Sequence, residues 1–143
     1  MQKIRSEILN DIKSATSSIK IAVSWITDNV LLNALSEKIQ HTPNCQLEII
    51  MSNHKDNDKQ KDKFITLARQ GAKIYAWGSS NAQTGKFMHC KFYIIDDKTA
   101  KSGSYNWSNS ARSNAECLDV VDTNKKLILF GMLKRSAKQY III

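Results

Sequence analysis

The segment between His89 and Asn106 contains the residues of this sequence with the clearest chemical potential. His89 and Lys91 lie two residues apart in an apolar run that predicts a β-strand over residues 88–95. Since alternate residues of a strand point to the same face, the imidazole and the ammonium are expected to project together. An imidazole can attack phosphorus, and a lysine can stabilise the charge that builds on the nonbridging oxygens. The pair therefore predicts phosphoryl-transfer chemistry.

Two neutral hydrogen-bond donors follow this pair at fixed spacing. Ser104 and Asn106 supply a hydroxyl and an amide two residues apart, and Gly103 precedes them. Because glycine has no Cβ, Gly103 would let the backbone come close to a bound anion. Neutral donors beside one lysine suit a phosphodiester, which has a single negative charge. We therefore expect these three residues to help bind the phosphate of a diester.

Together with Asp96, these residues form the pattern HxKx4Dx6GSxN. The segment resembles the signature of the phospholipase D superfamily, without a gap or a substitution. Residues 21–35 are also similar to that family, so the resemblance covers nearly the whole chain. It implies a phospholipase D-like α/β fold, with a mixed β-sheet sandwiched by helices. It also implies metal-independent hydrolysis of phosphodiesters through a phosphohistidine.

The resemblance further implies a homodimer. Relatives with one copy of the motif, such as the small bacterial endonucleases, form one active site from two copies across a twofold axis. Carried onto this chain, His89 of one subunit would be the nucleophile. The partner subunit's His89 would protonate the leaving oxygen and then activate water. Lys91 and Asn106 of both subunits would bind the phosphate oxygens, with Ser104 as a supporting donor.

Three acidic residues near the motif have different expected roles. Glu116 occupies the place where the family has an acid bonded to the histidine Nδ1, which fixes the tautomer of the ring. Asp119 is the competing candidate, although three positions along a regular strand reverse the direction of a side chain. Asp96 is the acid of the motif, and we interpret it as structural, at the strand end and away from phosphorus.

The elements that position these residues alternate between helix and strand in the first half of the chain. Thr27 and Asp28 offer an N-cap, and Gly71 offers a C′ position. The order of elements predicts one catalytic α/β domain over residues 1–143, and the three terminal isoleucines are compatible with a fragment of a longer protein. Helices are predicted at 3–16, 28–39, 59–70 and 125–139, a loop at 78–86, and strands at 19–25, 46–51, 72–77, 88–95, 99–103 and 117–121.

Several residues outside the motif are candidates for contact with a substrate. His54 follows a strand, and loops at strand carboxyl ends often line the sites of α/β proteins; the alternative is a plain surface histidine. Trp25 and Trp107 could stack on bases, or they could pack in the core or in an interface. Four lysines could form a patch that follows a nucleic-acid backbone, or they could lie on a solvated helix face: Lys55, Lys59, Lys61 and Lys63.

The charge of the chain bounds its partners. With 21 Lys and Arg against 13 Asp and Glu, the formal net charge is +8, which favours polyanionic partners. The sequence shows neither an apolar stretch long enough to span a membrane nor a secretory signal. The three cysteines are scattered, as reduced thiols are. We therefore expect a cytoplasmic protein without stable membrane insertion.

No metal ion or other cofactor is expected. Two-metal nucleases need a cluster of convergent carboxylates, and the sequence does not indicate one. Asp56, Asp58 and Asp62 could form a Ca²⁺ loop, but the glycine and the terminal glutamate of an EF-hand are missing.

The fold and the motif leave the substrate open, because this superfamily includes nucleases, phospholipases and phosphatidyltransferases. The positive charge, the single motif and the small size favour an endonuclease that acts on DNA or RNA with little sequence preference. The alternatives are an enzyme that acts on phospholipid and a non-catalytic module that binds nucleic acid.

Overall fold

The computed structural model describes residues 2–79, 88–113 and 115–140. Within these residues seven strands form one mixed sheet, in the spatial order sixth, fifth, fourth, first, second, third, seventh. The first three strands are parallel to one another, and every other neighbouring pair is antiparallel. The strands are β1 (Ser18–Val23), β2 (Gln46–Ser52), β3 (Lys73–Trp77), β4 (Lys91–Ile95), β5 (Thr99–Gly103), β6 (Leu118–Val121) and β7 (Lys138–Gln139).

Helices cover both faces of this sheet. The described residues form α1 (Gln2–Ser14), α2 (Asn29–His41), α3 (Lys55–Asp58), α4 (Lys61–Arg69) and α5 (Thr123–Ser136). The predicted α/β fold, with a mixed sheet between helices, is therefore confirmed. The predicted N-cap is present, since the Asp28 carboxylate accepts the N–H of Val30, and Gly71 ends α4 with a φ of 106°.

The core is divided by the sheet into two clusters. On β1, Ile19, Ile21 and Val23 pack towards α1 and α2. Ala22 points to the opposite side and belongs to the cluster that contains Phe130 of α5. Burial of β1 on both faces is visible in its second half, where Ile21, Ala22 and Val23 are consecutive apolar residues.

The fourth strand is shorter than predicted, because β4 begins at Lys91 and not at Met88. Its partner β1 ends at Val23, which pairs with Lys91, and beyond that pair the Ser24 N–H donates to Cys90 O. His89 therefore precedes the strand, and strand alternation does not by itself fix the direction of its side chain.

Two further boundaries differ from the prediction. The third predicted helix, at 59–70, is present as α4, and the short helix α3, which the side chain of His54 caps, precedes it in a segment predicted as a loop. The closing helix stops at Ser136, and β7 then adds an edge strand beside β3. A two-residue strand is too short to leave a periodic signal in the sequence. The predicted loop at 78–86 falls largely outside the described residues.

Asp96 ties the turn after β4 to the start of β1. Asp96 and Asp97 have φ values of 55° and 54°, and Lys98 donates its N–H to Ile95 O at 3.0 Å, as in a type I′ turn. The Asp96 carboxylate accepts the backbone N–H groups of residues 16, 17 and 18, at 3.0, 2.7 and 3.1 Å. Partial burial alone would raise the pKa of Asp96, but these N–H donors hold it well below its usual range. Its contacts are structural.

Asp96→Asn should lower the free energy of unfolding by about 1–2 kcal/mol at pH 7, after allowance for the exposure of the site. Asparagine tolerates the left-handed turn, so the change removes mainly the charged acceptor. Because the pKa of Asp96 is lower in the folded state, its contribution is complete above the unfolded pKa of about 4 and is lost progressively as the pH falls from there through the lower folded pKa. Urea unfolding at pH 7 and pH 3 measures both effects.

Asp97→Asn is the matched control. Asp97 has the same backbone conformation and forms one ion pair with Lys20 at a side chain that is 52% exposed. This substitution should lower the free energy of unfolding by less than about 1 kcal/mol. Equal losses for the two variants would contradict the role given to Asp96.

Candidate active site

The backbone around His89 is held by two buried serines. Ser24 and Ser52 lie at the carboxyl ends of the parallel strands β1 and β2, and both donate their hydroxyl groups to Met88 O. The N–H of Ser24 also donates to Cys90 O at 3.1 Å. The carbonyl groups before and after His89 are thus fixed, while the His89 side chain is exposed. Sequence analysis missed both serines, although a serine that ends a buried apolar strand is a usable signal.

Lys91 approaches the same backbone from β4. Its Nζ donates to His89 O at 3.0 Å, and the residue is partly exposed. A lysine ammonium is a compact charge on a flexible stem, so it can move from this carbonyl to an oxygen of a bound phosphate. The structure therefore brings the charge of Lys91 beside the backbone of His89.

Asn106 lies against the residue that follows Ser24. The Trp25 N–H donates to Asn106 Oδ1 at 3.3 Å, so the amide NH₂ of Asn106 is directed away from Trp25. Because Ser24 and Trp25 are consecutive, the end of β1 contacts both the backbone around His89 and the side chain of Asn106. The two halves of the motif therefore meet at one edge of the sheet.

Trp107 is a core residue. It is 1% exposed, and its ring lies edge-on to Tyr93 at a centroid distance of 6.0 Å. Its N–H donates to Trp25 O at 3.0 Å, and its carbonyl accepts the N–H groups of Thr27 and Asp28. Of the two interpretations left open for Trp107, the structure supports packing, because a buried indole cannot stack on a base.

Gly103 and Ser104 lie against the start of β6. A Cβ on Gly103 would lie 1.9 Å from Cys117 O, so the close packing of these backbones requires a glycine; its approach to an anion stays a prediction. The Ser104 Oγ accepts the N–H of Cys117 at 3.0 Å. That bond leaves the hydroxyl proton of Ser104 able to donate to a phosphate.

The structure separates the two candidates for the acid beside His89. Asp119 pairs with Ser102, which in turn pairs with Phe92, so Asp119 shares the face of Phe92 and not that of Lys91. Glu116 lies before β6 and is partly exposed. Its contact with the histidine ring stays a prediction. Asn114, in the same loop, lies outside the described residues.

Asn57 joins the loops that surround this edge of the sheet. Its side chain is fully buried, and its Oδ1 accepts the N–H of Ile26 at 2.8 Å. Its Nδ2 donates to Ser24 O at 3.0 Å and to Ser52 O at 2.8 Å. One amide therefore fixes the ends of β1 and β2 relative to each other. The sequence offers no signal for this role, since Asn57 stands in a polar run.

Asn57→Ala should lower the free energy of unfolding by about 3 kcal/mol, because it leaves one buried N–H and two carbonyl groups without this partner. Urea denaturation with an unchanged m-value measures this loss. Asn33→Ala is the control, since Asn33 is exposed on α2 and accepts a hydrogen bond from Lys63; this change should lower the free energy of unfolding by less than about 0.5 kcal/mol. Equal stability of the two variants would refute the role of Asn57.

A groove of about 500 Å³ opens beside Asn106. We call it the Trp25 groove. Its described lining residues are Trp25, Thr27, Asp56, Lys59, Asn106, Ser108 and Ser110. The volume of the Trp25 groove lies within the range of about 300–1,000 Å³ that is typical of ligand sites.

His54 supports the groove from behind Trp25 and is not among the described residues that line it. The two rings have centroids 5.2 Å apart. The Nδ1 of His54 accepts the Asp56 N–H at 3.1 Å and so caps α3. The substrate contact predicted for His54 stays a prediction.

The four lysines considered as one patch are divided by the structure. Lys59 lines the Trp25 groove, and the Nζ of Lys63 donates to Asn33 on α2 at 3.0 Å. Lys55 and Lys61 are exposed. Over residues 2–79, 88–113 and 115–140, no three His, Cys, Asp or Glu side chains converge as a metal site would need. In the same part of the chain, every helix is too short or too polar to cross a bilayer.

Comparison with known proteins agrees with this geometry. Residues 8–130 match the family model described as "Cardiolipin synthase, PLD-like domain". The chain belongs to the phospholipase D superfamily. Among curated relatives, a mitochondrial cardiolipin hydrolase of Chlamydomonas reinhardtii is 29% identical over 126 residues, which is 87% of this chain and 53% of that protein. The chain thus spans about half the length of this superfamily relative.

Several solved structures share this fold. Nuc from Salmonella typhimurium, a phospholipase D family member, superposes with a TM-score of 0.77 at 19% identity and covers 96% of this chain and 91% of its own. NucT from Helicobacter pylori gives a TM-score of 0.77 at 25% identity, with 97% and 92% coverage. The archaeal chromatin protein TrmBL2 is similar in fold over 94% of this chain, with a TM-score of 0.68 at 13% identity, and the match covers 49% of it.

Proposed function

We propose that this phospholipase D superfamily member is a metal-independent nuclease whose nucleophile is His89. The observation that carries the proposal is the edge of the sheet where β1 ends. There Ser24 bonds to the carbonyl groups on both sides of His89, and Trp25 bonds to Asn106. The histidine and the amide of the motif are therefore held by two consecutive residues.

The proposed reaction has two displacements. A nitrogen of His89 attacks phosphorus, and the bond from phosphorus to the leaving oxygen breaks as a general acid protonates that oxygen. Water then attacks the phosphohistidine, the phosphorus–nitrogen bond breaks, and the water proton passes to the same acid–base group. Lys91 and Asn106 stabilise the negative charge on the nonbridging oxygens in both steps, with Ser104 as a further donor. Glu116 orients the ring.

A homodimer with one shared site supplies the second histidine in this proposal. If the partner subunit's His89 is the general acid, a dimer with one His89→Asn subunit is inactive. Wild-type and His89→Asn protein would be mixed in equal amounts and allowed to exchange subunits. Relative to wild-type protein at the same total concentration, a shared site predicts about one quarter of the activity, and independent sites predict about one half. Sedimentation analysis of the same mixture checks that dimers form. A monomer that cleaves, or an activity near one half, would contradict the shared site.

Two features favour nucleic acid as the substrate: the positive net charge of the chain and the polar residues that line the Trp25 groove. The net charge of +8 attracts polyanions. The second candidate is an anionic phospholipid, which the similarity to a cardiolipin hydrolase favours. Ile128 and Met132 of α5 are 65% and 53% exposed, and α5 has no acidic residue. Such a helix face could also approach a lipid surface.

A substrate panel in EDTA separates these candidates. The panel consists of single-stranded DNA, duplex DNA, RNA, and vesicles that contain cardiolipin or phosphatidylcholine. The proposal predicts cleavage of nucleic acid in EDTA and none of the lipids. Hydrolysis of lipid alone would establish the second candidate, and nucleic-acid cleavage that EDTA abolishes would refute the metal-independent mechanism.

A further inference from the structure

The Trp25 groove has a rigid aromatic wall. Trp25 is partly exposed, and three of its polar atoms have partners. Its N–H donates to Asn106 Oδ1 at 3.3 Å, its carbonyl accepts the Trp107 N–H at 3.0 Å, and its Nε1 donates to Asp56 Oδ2 at 3.3 Å. With His54 packed beside it at 5.2 Å, the indole is fixed in place before any ligand binds. A fixed aromatic ring costs little conformational entropy when it binds a flat partner.

Polar groups of the groove contact both the backbone and the indole ring of Trp25. Asn106, the proposed phosphate ligand, lies at one side of Trp25, and Asp56 bonds to the indole N–H at the other. Lys59 lies 3.6 Å from Asp56, and its side chain is 73% exposed. Partial burial would raise the pKa of Asp56, but the indole hydrogen bond and the charge of Lys59 lower it below its usual value. Asp56 therefore stays an ionised acceptor at neutral pH.

This lining selects against an acyl chain. Apart from Trp25, each described lining residue is polar or charged, and a hydrocarbon tail would remove these groups from water without giving them hydrogen bonds. A nucleoside has both a flat face and polar edges. Its base can stack on an indole, and its N–H or hydroxyl groups can donate to a carboxylate such as that of Asp56.

We propose that the Trp25 groove binds the nucleoside next to the scissile phosphate of a single-stranded nucleic acid. The base stacks on Trp25, an N–H or hydroxyl group of the nucleoside donates to Asp56, and Lys59 binds the flanking phosphate. This inference rests on the proposed nuclease function and adds a substrate class to it. Single strands follow because both faces of a base inside a duplex are already stacked, and releasing the base costs free energy.

Base-free substrate tests the stacking directly. The probes are a short single-stranded DNA and a strand of equal length and charge whose bases are removed, both assayed in EDTA. Wild-type protein should cleave the normal strand with a kcat/KM about tenfold higher than the abasic strand, and higher than the same strand in a duplex. In Trp25→Ala, this difference between the normal and the abasic strand should disappear, as in a double-mutant cycle. Trp25→Leu is the second variant if the alanine protein does not fold.

Lys59→Gln tests the flanking phosphate. Since a phosphate contact does not depend on the base, this variant should lower kcat/KM for both strands by a similar factor and reduce the salt dependence of binding. Lys73→Gln removes the same charge from an exposed position at the start of β3 and should change neither.

The outcomes separate the two proposals. If wild-type protein cleaves both strands equally and Trp25→Ala or Trp25→Leu leaves that ratio unchanged, the nucleoside site is refuted while the nuclease function stands. If wild-type protein cleaves no nucleic acid in EDTA, the proposed function fails first. Hydrolysis of cardiolipin vesicles in place of nucleic acid would assign the groove to a lipid headgroup.

Discussion

His89→Asn is expected to lower kcat by about 10⁴-fold or more, because the variant lacks the nitrogen that forms the covalent bond to phosphorus. Folding should be retained, since the His89 side chain is exposed and the hydrogen bonds that hold its neighbours use main-chain carbonyl groups. Binding of nucleic acid should also persist, with its salt dependence, because the positive charge of the chain is unchanged. Initial rates and fluorescence anisotropy with a labelled strand measure the two properties separately.

His41→Asn is the matched control for this substitution. His41 is exposed at the end of α2, far from the motif in sequence, and it belongs to no part of the proposed site. Its replacement should leave kcat within about twofold of wild type. Turnover by His89→Asn that approaches that of His41→Asn would eliminate His89 as the nucleophile.

Lys91→Met is expected to lower kcat by about 10²–10³-fold, because it removes the positive charge beside the oxygens that become more negative in the transition state. Methionine keeps the length and much of the volume of the lysine stem, so β4 should be undisturbed. Since the interaction strengthens in the transition state, kcat should fall more than KM rises. Steady-state kinetics in EDTA on a short single-stranded DNA measure both constants.

Lys98→Met is the comparison for the lost charge. Lys98 lies in the turn at the other end of β4 and is exposed. The Lys98→Met substitution should alter KM only slightly, because it lowers the net charge of the chain, and it should leave kcat unchanged. If Lys91→Met raises KM and leaves kcat intact, Lys91 binds substrate without stabilising the transition state.

The sequence predicts most of the fold because the pattern of apolar residues is strong where burial is complete. The run Ile19–Val23 and the helix cap at Asp28 lead directly to β1 and α2. The sequence does not predict an element whose existence or boundary depends on tertiary contacts. β7 exists only because β3 offers a free edge, and β4 starts at Lys91 because β1 ends opposite to it.

The candidate site shows the same division. The motif residues can be read from spacing alone, since the types and offsets of His89, Lys91 and Asn106 match one chemistry. The residues that position these side chains cannot be identified from the sequence. Ser24 and Asn57 are polar residues without local periodicity, and their roles arise from contacts between strands that are distant in sequence. The direction of Trp25 is equally a product of its contacts with residues far along the chain.

The stereochemistry of cleavage at phosphorus shows whether a phosphohistidine forms during the reaction. A dinucleoside phosphorothioate of one configuration would be hydrolysed by wild-type protein in EDTA and ¹⁸O-labelled water, and the configuration of the product would be determined. Attack by His89 followed by attack of water inverts phosphorus twice, so net retention of configuration is expected. Net inversion would show a single direct attack by water and would contradict the phosphohistidine mechanism.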